Sequence, residues 1–208
     1  VPLRAAFRDR NVRIALSLAV NREEIAEILY HGLLVPSGYA WLPSSPYYSA
    51  EAFSKFANYA PDSANAILES AGYQDTDGDG WRELRDGSRF EFTIDVSSTN
   101  NSSDLCELVV DYWHTIGIKV NIFPALRDII WPRRFNGEFD VHQWGLEGPD
   151  DPLGRMNDWA IMGPQTPFWH REAYSDTTSW LKEASENLLL AQSAVDTSVR
   201  RVYMEKAR

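Results

Sequence analysis

The stretch from Ile118 to Pro152 constrains the fold of this chain most strongly. Its apolar spacing predicts a strand at Ile118–Phe123, an amphipathic helix at about Leu126–Phe135 and a second strand at Asp140–Trp144. Strand, helix and strand in this order form a βαβ-like unit, which is typical of α/β folds. Such folds bind small molecules at the loops that leave their strands. The sequence therefore predicts an α/β fold with a ligand site after the second strand.

The residues after this second strand combine an aromatic ring with acidic groups. Trp144 ends the strand, and Glu147, Asp150 and Asp151 follow in a turn rich in glycine and proline. An aromatic face beside carboxylates suits a cationic or amine-bearing ligand, or a sugar. Among the eight tryptophans, Trp144 is the one that we expect to stack on a ligand.

Two other tryptophans and the basic residues of the central helix have simpler interpretations. Trp113 and Trp180 stand at core-like spacing on predicted helices, so we expect both to pack inside the protein. Arg127, Arg133 and Arg134 make the central helix partly basic. Most such arginines are solvated, although one of them could face a ligand cleft.

Caps, glycines and periodicity predict the rest of the secondary structure. Asp104 and Glu107 have the spacing of a capping box at the start of one helix. The other expected elements are a helix capped by Asp9 or Asn11, a helix from Asn21 to His31-Gly32, a loop at 35–50, a helix from Pro61 to Gly72, a strand at Arg89–Val96, a helix at Asp104–Ile116, a short helix at Leu153–Ile161, and final helices at Ser175–Gln192 and Asp196–Arg208.

Composition excludes several classes of protein. With 208 residues, 44% of them hydrophobic, the chain can bury a sizeable core. Its net charge of −10 argues against nucleic-acid binding, which needs a basic face. The single cysteine, Cys106, excludes an internal disulfide and a cysteine-rich metal cage. No stretch approaches the about 20 apolar residues of a membrane-spanning helix, so we expect no membrane insertion.

The two ends of the sequence indicate a segment of a longer protein. The first residues carry no signal-peptide pattern. The chain stops at Lys206-Ala207-Arg208, inside a predicted helix. No linker or internal repeat divides it, so residues 1–208 are expected to form one unit.

The segment from Asp75 to Asp86 has the acidic pattern of a calcium loop. Asp75, Asp77 and Asp79 occupy positions 1, 3 and 5, and Gly80 follows at position 6. However, position 12 is Asp86 instead of the longer glutamate, and a strand follows instead of a helix. These departures favour a structural Asp/Gly turn, and a bound Ca²⁺ remains the alternative.

Catalysis is the weaker interpretation of the acidic residues near Trp144. Glu147 with Asp150 or Asp151 could form the acid/base pair of a glycosidase, whose carboxyl groups stand about 5–9.5 Å apart. A turn rich in glycine and proline is solvated, whereas catalytic carboxylates belong to buried clefts. The sequence also lacks a nucleophile elbow, a phosphate loop and a dinucleotide-binding fingerprint.

Several segments resemble one known family in order and spacing. Val12–Ile25, VRIALSLAVNREEI, is similar to a helix pair of the oligopeptide- and dipeptide-binding family of ABC-transporter solute-binding proteins. The likeness covers nearly all of residues 10–155, and the last two helices fit loosely. Its later pieces are Pro61…Ala64…Leu68…Ala71-Gly72-Tyr73, the DGDG turn, Gly117-Ile118, Gly137 with Phe139-Asp140, and Asp151-Pro152.

This resemblance implies one lobe of a type II periplasmic-binding-protein-like (Venus-flytrap) fold, an α/β lobe with a mixed sheet flanked by helices. It implies that residues 1–208 form the second lobe and that the partner lobe and export signal belong to other parts of the protein. Members capture peptides, nickel complexes, haem, opines or oligosaccharides outside the cytoplasm, in the periplasm or at the cell surface. They pass the solute to an ABC permease in the membrane.

The resemblance also implies contacts with the ligand. The family's cleft tryptophan falls on Leu146, and Trp144 stands two residues earlier, which weakens the peptide interpretation specifically. The acid that pairs with a peptide's α-amine falls on Asp150 or Glu147. Asn101 matches a position that lines the family's cleft.

Arg127 and Gln143 fall near other cleft positions of the family. The resemblance therefore implies capture of a solute and closure around it, with no catalysis and no required cofactor. Two rival hypotheses remain, a carbohydrate hydrolase that uses Glu147 and Asp151, and a calcium-stabilised structural module built on Asp75–Asp86.

Overall fold

The computed structural model describes residues 2–38, 41–99, 102–145, 151–156, 160 and 180–207. The chain divides into two compact units. The first contains residues 1–39, 51–132 and 139–145, and the second contains residues 40–50, 133–138 and 146–208. The sequence-based assignment of residues 1–208 to one lobe remains a prediction.

The described residues form helices and strands in this order: α1 Pro2–Arg8, α2 Arg10–Leu18, α3 Arg22–Tyr30, α4 Ala50–Ser54, α5 Pro61–Ser70, β1 Glu91–Ser97, α6 Ser102–Thr115, β2 Lys119–Ala125, α7 Arg127–Asn136, β3 Val141–His142, a 3-10 turn Pro152–Arg155, α8 Trp180–Ser193 and α9 Thr197–Lys206.

Local capping interactions begin the helices where the sequence predicts them. The Asp9 carboxylate accepts a hydrogen bond from the Asn11 backbone N–H at 2.9 Å and caps α2. Asn21 caps α3 through the Glu24 N–H, and α5 begins at Pro61. These predictions are confirmed. The capping box at Asp104 is wrong, because α6 already begins at Ser102 and Asp104 lies in its first turn.

The three strands form a parallel sheet with the order β2-β1-β3. β1 and β2 pair along their full length, from Glu91 opposite Lys119 to Ser97 opposite Ala125. β3 pairs with β1 only at Val141 and His142, so it is shorter than the predicted strand Asp140–Trp144. The α/β class is confirmed. Among the described residues, the antiparallel pairing outside the sheet is a single bridge between Glu83 and Arg89.

The core of the first unit surrounds β1, whose alternate side chains are all buried. Phe90 and Phe92 are almost inaccessible to solvent, and the Phe92 ring contacts the rings of Phe7 and Trp113 at centroid distances of 5.1 and 5.7 Å. The Trp113 indole N–H donates to the Leu16 carbonyl at 2.9 Å. The prediction that Trp113 packs against the core is confirmed.

In the second unit, α8 and α9 pack against each other through Leu188, Ala191 and Met204, which are buried. Asp196 caps α9 through the Ser198 N–H at 2.7 Å, as its position predicts. The prediction that Trp180 lies in the core is wrong, because Trp180 is 64% exposed.

A buried arginine connects the elements of the first unit at the beginning of the sheet. Arg82 is 8% exposed. Its guanidinium donates to the Tyr73 and Ile116 carbonyls at 2.7 and 2.8 Å, beyond the ends of α5 and α6, and to the Asn65 side chain at 2.9 Å. Its backbone N–H donates to Gly117, just before β2. This network satisfies helix-end carbonyls that would otherwise lack partners.

We expect Arg82→Met to lower the free energy of unfolding by about 3 kcal/mol, because buried carbonyls lose charged donors. Urea unfolding measures this change. Arg85→Met is the matched control: Arg85 lies three residues away, its side chain is 59% exposed, and it pairs with Asp9. Arg85 also donates to the Ala71 carbonyl, but its side chain is exposed to water, so its loss is expected to cost less than about 1 kcal/mol. Equal costs for the two variants would contradict the role given to Arg82.

Candidate functional site

The carboxyl ends of the three strands lie at one edge of the sheet, because all three strands are parallel. β1 ends at Ser97, β2 at Ala125 and β3 at His142. The Ser98 N–H donates to the Ala125 carbonyl at 3.0 Å, which keeps the first two ends together. We call this side of the sheet the strand-end edge. Ligands of parallel α/β sheets bind outside such an edge.

Arg127 and two tryptophans form a cluster at the strand-end edge. The Trp131 and Trp144 ring centroids are 5.0 Å apart, and the rings are tilted by 48°. The Arg127 guanidinium carbon lies 4.9 Å from the Trp131 centroid and 5.3 Å from the Trp144 centroid. The His142 ring stacks on Trp144 at 5.8 Å, with 21° between the planes. We call these four side chains the aromatic cluster.

Secondary structure explains why these side chains meet. Arg127 and Trp131 are four residues apart on α7, so they lie on one face of that helix. The Gln143 N–H donates to the Asp95 carbonyl at 3.0 Å, so the chain stays bonded to β1 up to the residue before Trp144. Trp144 is 36% exposed and Arg127 is exposed, so both are accessible to a ligand.

The structure brings three of the predicted ligand residues, Arg127, Gln143 and Trp144, to this edge. Asn101, Glu147 and Asp150 lie outside the described residues. The Asp151 carboxylate accepts the Leu153 N–H at 2.9 Å and caps the 3-10 turn. The roles of all these residues in ligand binding remain predictions.

Sequence reasoning missed the contributions of Trp131 and Asp95. Trp131 received no role, although its spacing from Arg127 on one helix was a usable signal. Asp95 is 1% exposed on the central strand, directly opposite His142 in the register. An aspartate inside the apolar strand EFTIDVS was the signal for a buried polar group.

The acidic turn before β1 brings four carboxylates together. Oxygen atoms from Asp75, Asp77, Asp79 and Glu83 lie within 4.8 Å of one another. The glutamate that joins the cluster is thus Glu83. Asp86 instead accepts two hydrogen bonds from Ser88, and the bond from the Ser88 hydroxyl is the main cause of the lowered pKa of Asp86.

Donors inside the protein already engage most of this cluster. Both Asp75 oxygens accept backbone N–H groups, from Gly78 at 2.7 Å and Gly80 at 2.9 Å. Asp79 accepts the Trp81 N–H at 2.9 Å and forms an ion pair with Arg89. This pattern is typical of an Asp/Gly turn that is held by its own backbone.

A concave surface of about 420 Å³ lies beside this turn, at the opposite end of β1 from the strand-end edge. Its polar lining groups include Arg82, Asp75 and Thr115. Each of these side chains is hydrogen-bonded to nearby backbone groups. The surface therefore offers a ligand few unused polar groups.

Within the part of the chain that the structure describes, no helix combines the length and the apolar character that crossing a bilayer requires.

Residues 2–163 match the sequence model of the bacterial extracellular solute-binding proteins, family 5. The chain belongs to this family. It is 28% identical over 178 residues to the oligopeptide-binding protein AppA of Bacillus subtilis strain 168, covering 82% of this chain and 32% of AppA. It is 28% identical over 189 residues to the nickel-binding periplasmic protein of Escherichia coli strain K12, covering 89% of this chain and 35% of that protein.

The structure agrees with this assignment. An oligopeptide-binding protein OppA superposes with a TM-score of 0.85 and 28% sequence identity, covering 99% of this chain and 36% of that chain. The chain spans about a third of the length of AppA, the nickel-binding protein and OppA. Family membership confirms the periplasmic-binding-protein fold class and an extracytoplasmic location, and it identifies a family of binding proteins instead of enzymes.

Proposed function

We propose that this chain is one lobe of the solute-binding component of an ABC importer. It captures a peptide or a similar small solute outside the cytoplasm and delivers it to the membrane permease. Its role is binding, and it does not transform the solute. The observation that carries this proposal is the strand-end edge, where three parallel strands end beside exposed Trp144 and Arg127.

Capture requires a second lobe in this proposal. Closure of two lobes around a hinge buries the solute and excludes water, and the closed shape is what the permease recognises. Trp144 provides an aromatic face, and Gln143 provides an amide that can donate and accept hydrogen bonds. Asn101 is proposed to add a second amide, and Asp150 or Glu147 to pair with a positive group of the solute.

The names of the relatives bear on the type of solute. Two of them are named for oligopeptides and a third for nickel. The ring surface and amide groups at the strand-end edge can contact apolar side chains and peptide groups, which favours a peptide-like solute. Identification by mass spectrometry of the ligand that copurifies with the complete protein tests this assignment.

We expect Trp144→Ala to weaken solute binding at least about tenfold, a loss of about 1.4 kcal/mol, because an aromatic contact surface is removed. Calorimetry on the protein expressed from its native gene measures this loss. Trp81→Ala is the matched control, because Trp81 lies in the turn at the opposite end of the sheet, where its ring contacts His114. An unchanged affinity in Trp144→Ala would contradict the proposed site.

We expect the isolated 208-residue chain to bind the same solute weakly, with a Kd above the micromolar range. The contacts and water exclusion of the partner lobe are absent in that experiment, and both contribute to affinity. Calorimetry on the isolated chain and on the protein from its native gene makes the comparison. Submicromolar binding by the isolated chain would rule out the two-lobe requirement.

We further propose that the turn Asp75–Glu83 is structural and that the protein needs no bound cofactor. Internal hydrogen bonds and the Arg89 ion pair already balance much of its acidic charge. The alternative is a Ca²⁺ site, which the convergence of four carboxylates supports.

For a structural turn, we expect millimolar CaCl₂ or EGTA to leave the melting temperature unchanged. A ligand that binds only the folded state raises stability in proportion to ln(1 + [L]/Kd), so an occupied site is detectable. Differential scanning calorimetry measures the effect, with MgCl₂ as the ionic control. A rise specific to calcium would establish the Ca²⁺ site and remove the structural interpretation.

A further inference from the structure

Among the described residues, two aromatic rings contact the guanidinium of Arg127. Its guanidinium carbon is nearly equidistant from the Trp131 and Trp144 centroids, at 4.9 and 5.3 Å, while the centroids are 5.0 Å apart. The guanidinium therefore lies over the notch between two tilted rings. Ring faces attract the cation without taking up the strong hydrogen bonds of its N–H groups, which therefore stay available.

These edge N–H groups have no partner among the described residues. Within the described chain, Arg127 donates no hydrogen bond and forms no ion pair, and the adjacent Asp128 does not pair with it. Arg82, by contrast, donates to two carbonyls, an amide oxygen and the Glu69 carboxylate. The Arg127 guanidinium is exposed, so its edge N–H groups are open to water or to a ligand.

The position of Arg127 adds to its positive potential. It is the first residue of α7, a helix of ten residues, so the positive end of the helix dipole lies beside the guanidinium. Because the Trp131 and Trp144 rings restrict the side chain, a ligand needs to immobilise less of it on binding. The planar donor edge of a guanidinium matches the two oxygens of a carboxylate.

We infer that Arg127 binds a carboxylate group of the solute at the strand-end edge. This inference rests on the proposed function and refines it, because it specifies an anionic group on the captured molecule. The carboxylate can come from the carboxyl terminus of a peptide or from an acidic side chain. The Trp131 and Trp144 rings hold the Arg127 guanidinium, and the N–H groups at the edge of the guanidinium donate to the carboxylate oxygens.

Three tetrapeptides with free amino termini separate these possibilities: tetraalanine acid, tetraalanine amide and Ala-Asp-Ala-Ala amide. Calorimetry uses the protein expressed from its native gene. We expect at least one carboxylate-bearing peptide to bind about tenfold more tightly than tetraalanine amide, with a preference that falls as salt increases. The peptide that gains affinity identifies the source of the carboxylate.

Substitutions then assign the preference to Arg127. Arg127→Gln is expected to abolish the preference, so that the acid and amide peptides bind with equal affinity. Arg127→Lys keeps part of it, because the charge remains while the planar donor edge is lost. Arg134→Gln is the matched control, since it removes the same charge from the last turn of α7. Thermal melts establish that each variant is folded.

The peptide titrations test the carboxylate inference and the peptide-like solute separately. If wild-type protein binds all three peptides equally, or if Arg127→Gln keeps the preference, the inference is wrong and the proposed capture stands. If no peptide binds, a peptide-like solute is wrong. In that case, titrations with acetate and acetamide, followed by the NMR signals of the indole N–H groups, decide the inference. Shifts specific to acetate that vanish in Arg127→Gln support it, and their absence overturns it.

Discussion

The buried Arg82 side chain connects the ends of two helices to the beginnings of two strands, and the geometry of the strand-end edge depends on this connection. Its guanidinium holds the Tyr73 and Ile116 carbonyls, while its backbone pairs with Gly117 and Phe90. Gly117 has a φ of +75°, which favours glycine, and a Cβ there would also crowd the Arg82 Cγ at 3.2 Å. These bonds align β1 and β2 where they begin. Because the pairing then continues in register, both strands end together at the strand-end edge, where the proposed ligand residues lie.

Local interactions made much of this fold predictable from the sequence. Asp9 and Asn21 begin helices because their side chains accept N–H groups two or three residues away, and this requires no knowledge of the rest of the chain. The errors arise where distant contacts decide. The predicted strand Asp140–Trp144 pairs with β1 over only two residues, and the Asp140 carboxylate accepts the Thr93 N–H just before that pairing begins. Trp180 has core-like spacing, but its exposure depends on which surface its helix presents to the rest of the unit.

The position of the candidate site was predictable, but the contact between its cation and its aromatic rings was not. The order of strand and helix indicated the edge at which ligand residues should lie, and Trp144 lies there. The sequence led to an expected cleft of one aromatic ring, several acids, two amides and Arg127, and the described part of the site brings that arginine between Trp131 and Trp144. That contact joins α7 to the end of β3, and spacing along the chain cannot reveal a contact between two elements. The acidic and polar half of the site remains a prediction, because it consists of Asn101, Glu147 and Asp150.

Arg82 and Arg127 lie at opposite ends of the sheet and differ in burial and in the hydrogen-bond acceptors available to their guanidinium groups. Arg82 is buried, and protein acceptors surround its guanidinium, so its hydrogen bonds stabilise the folded protein. Arg127 is exposed, and its described contacts are with ring faces, so its hydrogen-bonding capacity contributes little to stability. An unpaired surface cation costs the folded protein little while water solvates it. In the proposed capture, closure of a second lobe removes that water, and the cation then needs an anionic partner, because a buried unpaired charge is costly. Under this proposal, the charge of Arg127 restricts which solutes can be enclosed.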